Sequence, residues 1–329
     1  MIARLVLTLE EAWYRGAPWL LLLVPLEWCF RGAVFLRRYA FRRGLRRSYH
    51  APVPVVVVGN ITLGGTGKTE VVIALVQALA ERGIRAGVVS RGYGGSGSPQ
   101  PRQVNASSLV EDVGDEAVMI FARTGCPVVV AGSRALAVRF LLATAEVDVV
   151  LSDDGLQHYT LARDLEVALY DATSAFGNGH CLPAGPLREP LSRLSRVDFV
   201  LSRGGEGSGA DIIYRPLELS NLASGDTVAF SPEEVGDRVY GVAALGRPGQ
   251  FIASLEGAGF SVEPRLYADH YPFSSRDFAG LDDRAVIMTE KDAVKCARLA
   301  GSNAWSLRVK AHLPAALVEA VASLAPSSE

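Results

Sequence analysis

The stretch Val55-Val56-Val57-Val58-Gly59-Asn60-Ile61-Thr62-Leu63-Gly64-Gly65-Thr66-Gly67-Lys68-Thr69 constrains this chain more than any other. Four β-branched residues in a row predict a strand buried on both faces, as in a parallel sheet. A glycine-rich turn, Gly67-Lys68-Thr69 and a helical pattern over 71–80 follow, which is the context of a phosphate-binding loop. Gly64, Gly65 and Gly67 let backbone N–H groups curl around phosphate oxygens, and the next helix adds a dipole that favours anions. Lys68 can reach the β- and γ-phosphates and the Thr69 hydroxyl can hold Mg²⁺. The strict spacing G-x-x-x-x-G-K-[ST] asks for glycine where Thr62 stands, so a glycine turn that binds nothing is the competing reading.

With 329 residues the chain is long enough for two domains. The net charge of −2 gives no electrostatic case for nucleic-acid binding. Hydrophobic residues make up 49%, which leaves room for membrane contact. Lysine is rare: Lys68, Lys291, Lys295 and Lys310 complete the set, so a lysine in the glycine loop is not background. Cys29, Cys126, Cys181 and Cys296 form no C-x-x-C pair, which fits reduced cytosolic thiols and no zinc site.

The first 50 residues carry an apolar run, Trp19–Leu26, with Pro18, Pro25, Glu27 and Arg31 around and beyond it. The uninterrupted part is shorter than the roughly 20 residues a spanning helix needs. Arg37, Arg38, Arg42, Arg43, Arg46 and Arg47 then alternate with aromatic and aliphatic residues, a pattern suited to a helix in the headgroup layer. A helix packed on the protein's own core, or one that spans, are the other readings.

Further along, strand Ala86–Ser90 runs into Arg91-Gly92-Tyr93-Gly94-Gly95, a second glycine loop at a strand's C-terminal end, where open α/β sheets bind ligands. Arg91 and Tyr93 are site candidates there; a plain turn is the alternative. Asp112-Val113-Gly114-Asp115-Glu116 opens a helix over 117–123, and on residue type alone its acids are helix caps. Strand 126–131 and helix 135–144 precede Val149-Val150-Leu151-Ser152-Asp153-Asp154-Gly155, an apolar strand ending in aspartate that reads as a Walker B element. Gly155-Leu156-Gln157-His158 and the rigid Pro183-Ala184-Gly185-Pro186-Leu187-Arg188-Glu189-Pro190 follow. Phe199–Arg203 reads as the last strand of this sheet, 212–230 as a strand pair linking two lobes, and 239 onward as a smaller α/β lobe. His270 ends one of its strands, where a lone histidine is most often structural.

Taken together, Gly59-Asn60-Ile61-Thr62 with Gly64–Thr69, Ser90-Arg91-Gly92-Tyr93, Val113-Gly114-Asp115-Glu116, Asp153-Asp154-Gly155-Leu156-Gln157-His158 and Pro183–Glu189 resemble the tetraacyldisaccharide 4'-kinase family of the Gram-negative lipid A pathway. That family shares the non-glycine at Thr62. The resemblance implies an α/β fold: a RecA-like P-loop NTPase core with a parallel sheet (51–210), a two-stranded linker (211–238), a smaller α/β lobe (239–329) whose last helix returns to the core, and a membrane-associated N-terminal segment (1–50). It implies ATP and Mg²⁺, a lipid substrate phosphorylated on its 4'-hydroxyl, and peripheral attachment to the cytoplasmic face of the inner membrane, with no obligate protein partner.

The resemblance also implies roles. The loop Thr62, Leu63, Gly64, Gly65, Thr66, Gly67, Lys68, Thr69 holds the ATP phosphates. Thr69 and Asp153 organise Mg²⁺, with Glu116 and Asp154 as further ligands. Asp115 is the base, paired with His270 of the small lobe, which reverses the residue-level reading of both. Arg91, Tyr93, Arg134, Gln157, His158, Arg188 and Glu189 are substrate- or phosphate-side residues. Two other classes compete. Partitioning-type ATPases carry a signature lysine where Leu63 stands, and GTPases want Asn-Lys-x-Asp, which Thr289-Glu290-Lys291-Asp292 does not match. A membrane-peripheral binding protein with a degenerate site is opposed by intact Lys68, Thr69 and Asp153.

Overall fold

The computed structural model describes residues 9, 11–95, 100–205, 207–246, 248–268 and 271–326. A short 3₁₀ turn, Pro18–Leu23, leads into helix α1 (Val24–Arg42). The first α/β run is β1 (Val55–Gly59), α2 (Lys68–Ala80), β2 (Ala86–Ser90), β3 (Arg102–Gln103), α3 (Asp115–Thr124), β4 (Val128–Val130), α4 (Arg134–Thr144), β5 (Val149–Asp153), β6 (Leu165–Asp171) and β7 (Phe199–Gly204). The second is β8 (Ile212–Asn221), β9 (Thr227–Ala229), β10 (Arg238–Ala243), α5 (Gly249–Gly257), β11 (Ser261–Leu266), β12 (Ala285–Thr289), α6 (Glu290–Cys296), β13 (Ala304–His312) and α7 (Ala315–Ala322).

Alternation along β1 decides the core. Val56 and Val58 face α2 and α3, and Val55 and Val57 face α4, so all four valines lose their surface. Strand β1 pairs in parallel with β5 on one side and β6 on the other, with Val58 opposite Asp153. That register brings the end of β5 beside the glycine loop. Helices on both faces satisfy a sheet whose strands are apolar throughout.

Among the described residues the strands join one sheet in the order β11-β10-β12-β13-β8-β7-β6-β1-β5-β2-β4-β3, with β9 on β8. The sheet therefore does not end at β7 as its sequence suggests. Strand β8 pairs briefly and in parallel with β7, then along its length antiparallel with β13, so the first run's hydrogen bonding passes into the second. The pairing partner is 80 to 100 positions away, beyond any local pattern. Strands β10, β12 and β13 then run parallel, with their own cores on each face. Helix α7 leaves this lobe and packs Leu317, Val318 and Val321 into the core under α2.

Helix α1 is different. With its 3₁₀ lead it forms a helical segment, Pro18–Arg42, long and apolar enough to cross a membrane by length and composition, and only 11% of its most apolar window is buried. The interruptions that shortened the apolar run in sequence do not break the helix. Pro25 sits in the first turn, where its missing N–H costs nothing. Glu27 turns inward: its carboxylate accepts from the Cys181 backbone N–H at 2.9 Å and meets His180 Nδ1 at 2.7 Å.

Candidate active site

The glycine loop leaves β1 and enters α2 at the C-terminal edge of the parallel strands, the edge where open α/β sheets bind ligands. Its shape is set from outside. Thr62 makes an antiparallel bridge to Leu187, Leu63 N donates to Pro186 O at 2.8 Å, and Arg188 N donates to Ile61 O at 2.6 Å. The proline-rich loop is thus a rigid brace for the phosphate loop. Leu63, where partitioning ATPases carry lysine, packs into an apolar cluster with Ala12, Trp13 and Leu20. At the far end Gly67 takes φ +68°, and Tyr214 OH donates to its carbonyl at 2.8 Å. A Cβ on Gly67 would lie 2.8 Å from that hydroxyl, so the position needs glycine twice over. Arg203 donates to Gly65 O at 3.3 Å and pairs with Asp171 at 3.1 Å.

Lys68 lies across the loop it closes. Its ammonium is 3.2 Å from Asn60 Oδ1 and 3.6 Å from Asp154. Asn60, fully buried, donates in turn to Thr62 Oγ1 and Gly64 O. Sequence reasoning missed Asn60, Arg203 and Tyr214 as parts of this site. Asn60 directly follows the strand and was readable only as part of a family motif. Arg203 and Tyr214 come from strands far away in sequence.

Adjacent Asp153 and Asp154 occupy opposite environments. Asp153 is buried, and Thr69 Oγ1 lies 3.4 Å from its Oδ2. Its Oδ1 is buried with no hydrogen-bond partner among the described residues. Burial, then the charge of Glu116, pushes this carboxyl well above the ordinary range, against the pull of Lys68. Asp154 has φ +48°, a strained conformation for a non-glycine residue. Burial opposes its charge too, but Lys68 and a 3.0 Å pair with Arg188 outweigh it and hold the carboxyl down to about 2. An all-oxygen pair, Thr69 with an orphaned Asp153 oxygen, fits a hard divalent ion of the Mg²⁺ type. Such an ion takes one or two protein ligands and completes its shell with phosphate and water. No cage of three His, Cys, Asp or Glu side chains is found among the described residues.

Asp115 starts α3 and is 2% exposed. Its Oδ1 accepts from the Glu116 N–H at 2.9 Å. Gly114 before it takes φ +86°, and a Cβ there would sit 2.4 Å from Tyr93 O. The second glycine loop therefore exists to lie backbone-to-backbone on the turn that carries Asp115. Glu116 lines a cavity of about 620 Å³ together with the phosphate loop, Asp171, Arg203, Tyr214, Gln250, Phe251 and Lys291. This cavity lies between the first α/β run and the second. His270 lies outside the described residues.

The remaining residues separate by burial. Tyr93 and Arg91 are exposed, and neither lines that cavity. Arg188 reaches Asp154, and Gln157 donates to Asn60 O at 3.1 Å and to Glu189 at 3.2 Å. His158 is half-buried; burial and then Arg134 push its pKa down to about 4, so it is neutral at pH 7. Arg134 and Glu189, read as substrate- or phosphate-side residues, are each 1% exposed and bonded within the protein, with Arg134 Nε left without a hydrogen-bond partner among the described residues. Arg134 donates to Asp153 O at 2.8 Å, and Glu189 accepts from Tyr159 OH at 2.6 Å and pairs with Arg38 of α1 at 3.6 Å.

A family model described as tetraacyldisaccharide-1-P 4'-kinase matches residues 19–325. The chain belongs to that family. The tetraacyldisaccharide 4'-kinase of Nitrosococcus oceani is 45% identical over 312 residues, covering 95% of this chain and 92% of its own. That of Azotobacter vinelandii is 46% identical over 306 residues, 92% of each chain. The crystal structure of LpxK from Aquifex aeolicus, an "apo" form in complex with ATP, superposes with TM-score 0.78 at 26% identity, covering 92% of this chain and 98% of that one. The α/β P-loop architecture is therefore the family's own, and the family's members are kinases.

Proposed function

We propose that this chain transfers the γ-phosphoryl group of ATP to the 4'-hydroxyl of a tetraacyldisaccharide 1-phosphate in lipid A biosynthesis. One observation carries the reading: a braced phosphate loop with Lys68 and Thr69 faces the same interlobe cavity as Glu116, the neighbour of buried Asp115, and an orphaned oxygen of Asp153 lies buried behind Thr69. Phosphoryl transfer asks mainly for positioning and charge neutralisation. Backbone N–H groups of Thr62–Thr69 bind the phosphates, and Lys68 neutralises charge there. Thr69 and Asp153 would hold Mg²⁺, with Glu116 and Asp154 as further ligands. When bound, the ion supplies neutralisation of the β,γ-phosphate charge. Asp115 accepts the sugar hydroxyl's proton, with His270 as its partner. A carboxylate near its ordinary pKa is a weak base for a hydroxyl, and a histidine can take the proton onward. Because Asp115 and His270 come from different lobes, closing the lobes assembles the pair.

The acyl chains of such a substrate stay in a bilayer, so the enzyme must come to them. Trp19, Leu21, Leu22, Leu26, Trp28, Phe35 and Leu36 are exposed on the N-terminal helical segment, and Arg42, Arg43, Arg46 and Arg47 follow in solvent. This surface supports attachment to the cytoplasmic face of the inner membrane. The test is transfer of labelled γ-phosphate to the disaccharide monophosphate in detergent micelles, wild type against Asp115→Ala. Transfer by the wild type and near-loss in the variant, with ATP binding kept, supports both the activity and the base. ATP hydrolysis without lipid phosphorylation overturns the kinase reading in favour of a nucleotide switch.

A further inference from the structure

Thr289-Glu290-Lys291-Asp292 served above only to exclude a guanine site. In the fold it is the turn where β12 enters α6, and it is held unusually firmly. Thr289 Oγ1 donates to Asp292 Oδ2 at 2.7 Å while accepting from Asp292 N at 3.3 Å. The same Oδ2 accepts from Ala244 N at 2.9 Å, at the exit of β10, and Lys295 pairs with Oδ1 at 2.7 Å. Asp292 is fully buried, so this tie is dry. The residues between, Glu290 and Lys291, are thereby aimed out of their lobe at α3 of the core.

What they meet is charge of the opposite sign, crossed over. Glu290 pairs with Arg123 at 2.6 Å, and Arg123 also donates to Val309 O at 3.4 Å. Lys291 donates to Glu116 Oε1 at 3.4 Å and lies 3.9 Å from Asp115 Oδ2. Arg123 and Glu290 are about nine-tenths buried, so their pair is only weakly screened. The core offers acids at the start of α3 and a base near its end; α6 offers the reverse. Any slide of α6 toward either end of α3 brings like charges together, which fixes the register.

The oxygens of Asp115 are divided by this arrangement. Oδ1 is taken by the helix's own N–H, and Oδ2 is the one turned toward Lys291. We propose that Lys291 is a positioning residue for the transfer: from across the lobe interface it orients Asp115 and Glu116, with Arg123–Glu290 as the second tie. The inference rests on Asp115 acting as the base. It makes the closed arrangement of the lobes, and not the core alone, responsible for where the base points.

The full-length chain in mixed micelles with ATP and the disaccharide monophosphate supplies the test. Lys291→Met keeps length and bulk and removes the charge. It is expected to lower kcat at least about tenfold with KM for ATP within about threefold, because misorientation by under an ångström has effects of that order. Lys291→Arg should return at least about a third of wild-type kcat, since the cation is restored. Reversing one tie, Glu290→Arg, should lower kcat, and the double exchange Arg123→Glu with Glu290→Arg should recover it. Wild-type kcat in Lys291→Met beside a dead Asp115→Ala overturns this inference and leaves the base intact. A rise in KM for ATP with kcat unchanged makes Lys291 a nucleotide ligand and also overturns it. Full activity in Asp115→Ala overturns the base reading itself, whatever Lys291 does.

Discussion

Strand β1 and helix α1 are both apolar runs, and the fold treats them oppositely. The four valines of β1 are sealed between helices, while Leu22 of the lead into α1 keeps 81% of its surface and Trp28 keeps 67%. Hydropathy is blind to this difference. The informative residues are the polar ones. At the end of β1, Asn60 and Lys68 serve the phosphate loop. On α1 the one buried acid, Glu27, is an anchor to His180 and Cys181, and Arg37 and Arg38 reach Gln157 O and Glu189. The helix is thus attached to the catalytic edge along one stripe and left bare elsewhere. An apolar helix held by a polar stripe keeps most of its apolar surface outside the protein's own core.

Four variants and a pH titration press on that contrast. Leu79→Ala, which empties space in the core cluster that also holds Val56 and Val58, should destabilise the chain by about 2–5 kcal/mol in urea unfolding. A much smaller loss would mean that the β1 core is slack. Lys68→Ala should lower kcat about 10²- to 10³-fold, as removal of a charge-stabilising donor does. Glu27→Ala leaves the Cys181 N–H buried and unpaired and should cost about 1–3 kcal/mol. No loss there would show that α1 is held by its arginines alone. Replacing Leu21, Leu22 and Trp28 together by Ser should move stability by under about 0.5 kcal/mol, being surface changes. The same triple variant should weaken binding to anionic vesicles at least about tenfold, since each buried apolar side chain contributes about 1.5–3 kcal/mol. Loss of folding in place of loss of binding would return α1 to the protein core.

The last test is a pH slope. His158 titrates at about 4 in the fold against an ordinary 6.5, chiefly through burial and then Arg134, with Arg37 of α1 among the lesser causes. Between those values the unfolded chain binds more protons, so its contribution to stability is complete above 6.5 and falls as pH drops toward 4. His158→Asn should flatten unfolding free energy across that window. Arg37→Ala should flatten it slightly, and no change in slope with either would mean His158 is not held neutral.

The glycine loop and the Asp153 strand could be read from the chain because both are local. A strand's β-branched run, a glycine's backbone freedom and an aspartate at a strand's end are properties of adjacent residues. The boundaries fell within a few positions for the same reason: the strand read as Ala86–Ser90 was observed unchanged, and the helix read from Ala117 began at Asp115. The motif set carried the family for the same cause, since its residues stand in order along one chain. Where reading stopped, distance in sequence was the reason. Nothing near Gly67 announces Tyr214, and nothing near Asp115 announces Lys291. Arg134 and Glu189 share a type with exposed charged residues, and only the fold shows that they are buried against Asp153 O, Tyr159 and Arg38.

The sequence by itself determined the phosphate-binding chemistry, the parallel core and the family. Those follow from short-range backbone preferences and the alternation of apolar residues. Tertiary structure alone decided that β8 and β13 carry one sheet through both lobes, that adjacent Asp153 and Asp154 sit at opposite ends of the carboxylate range, and that α1 keeps its apolar face. Each of these depends on what comes near a residue from far along the chain, because burial and charge are properties of a place in space.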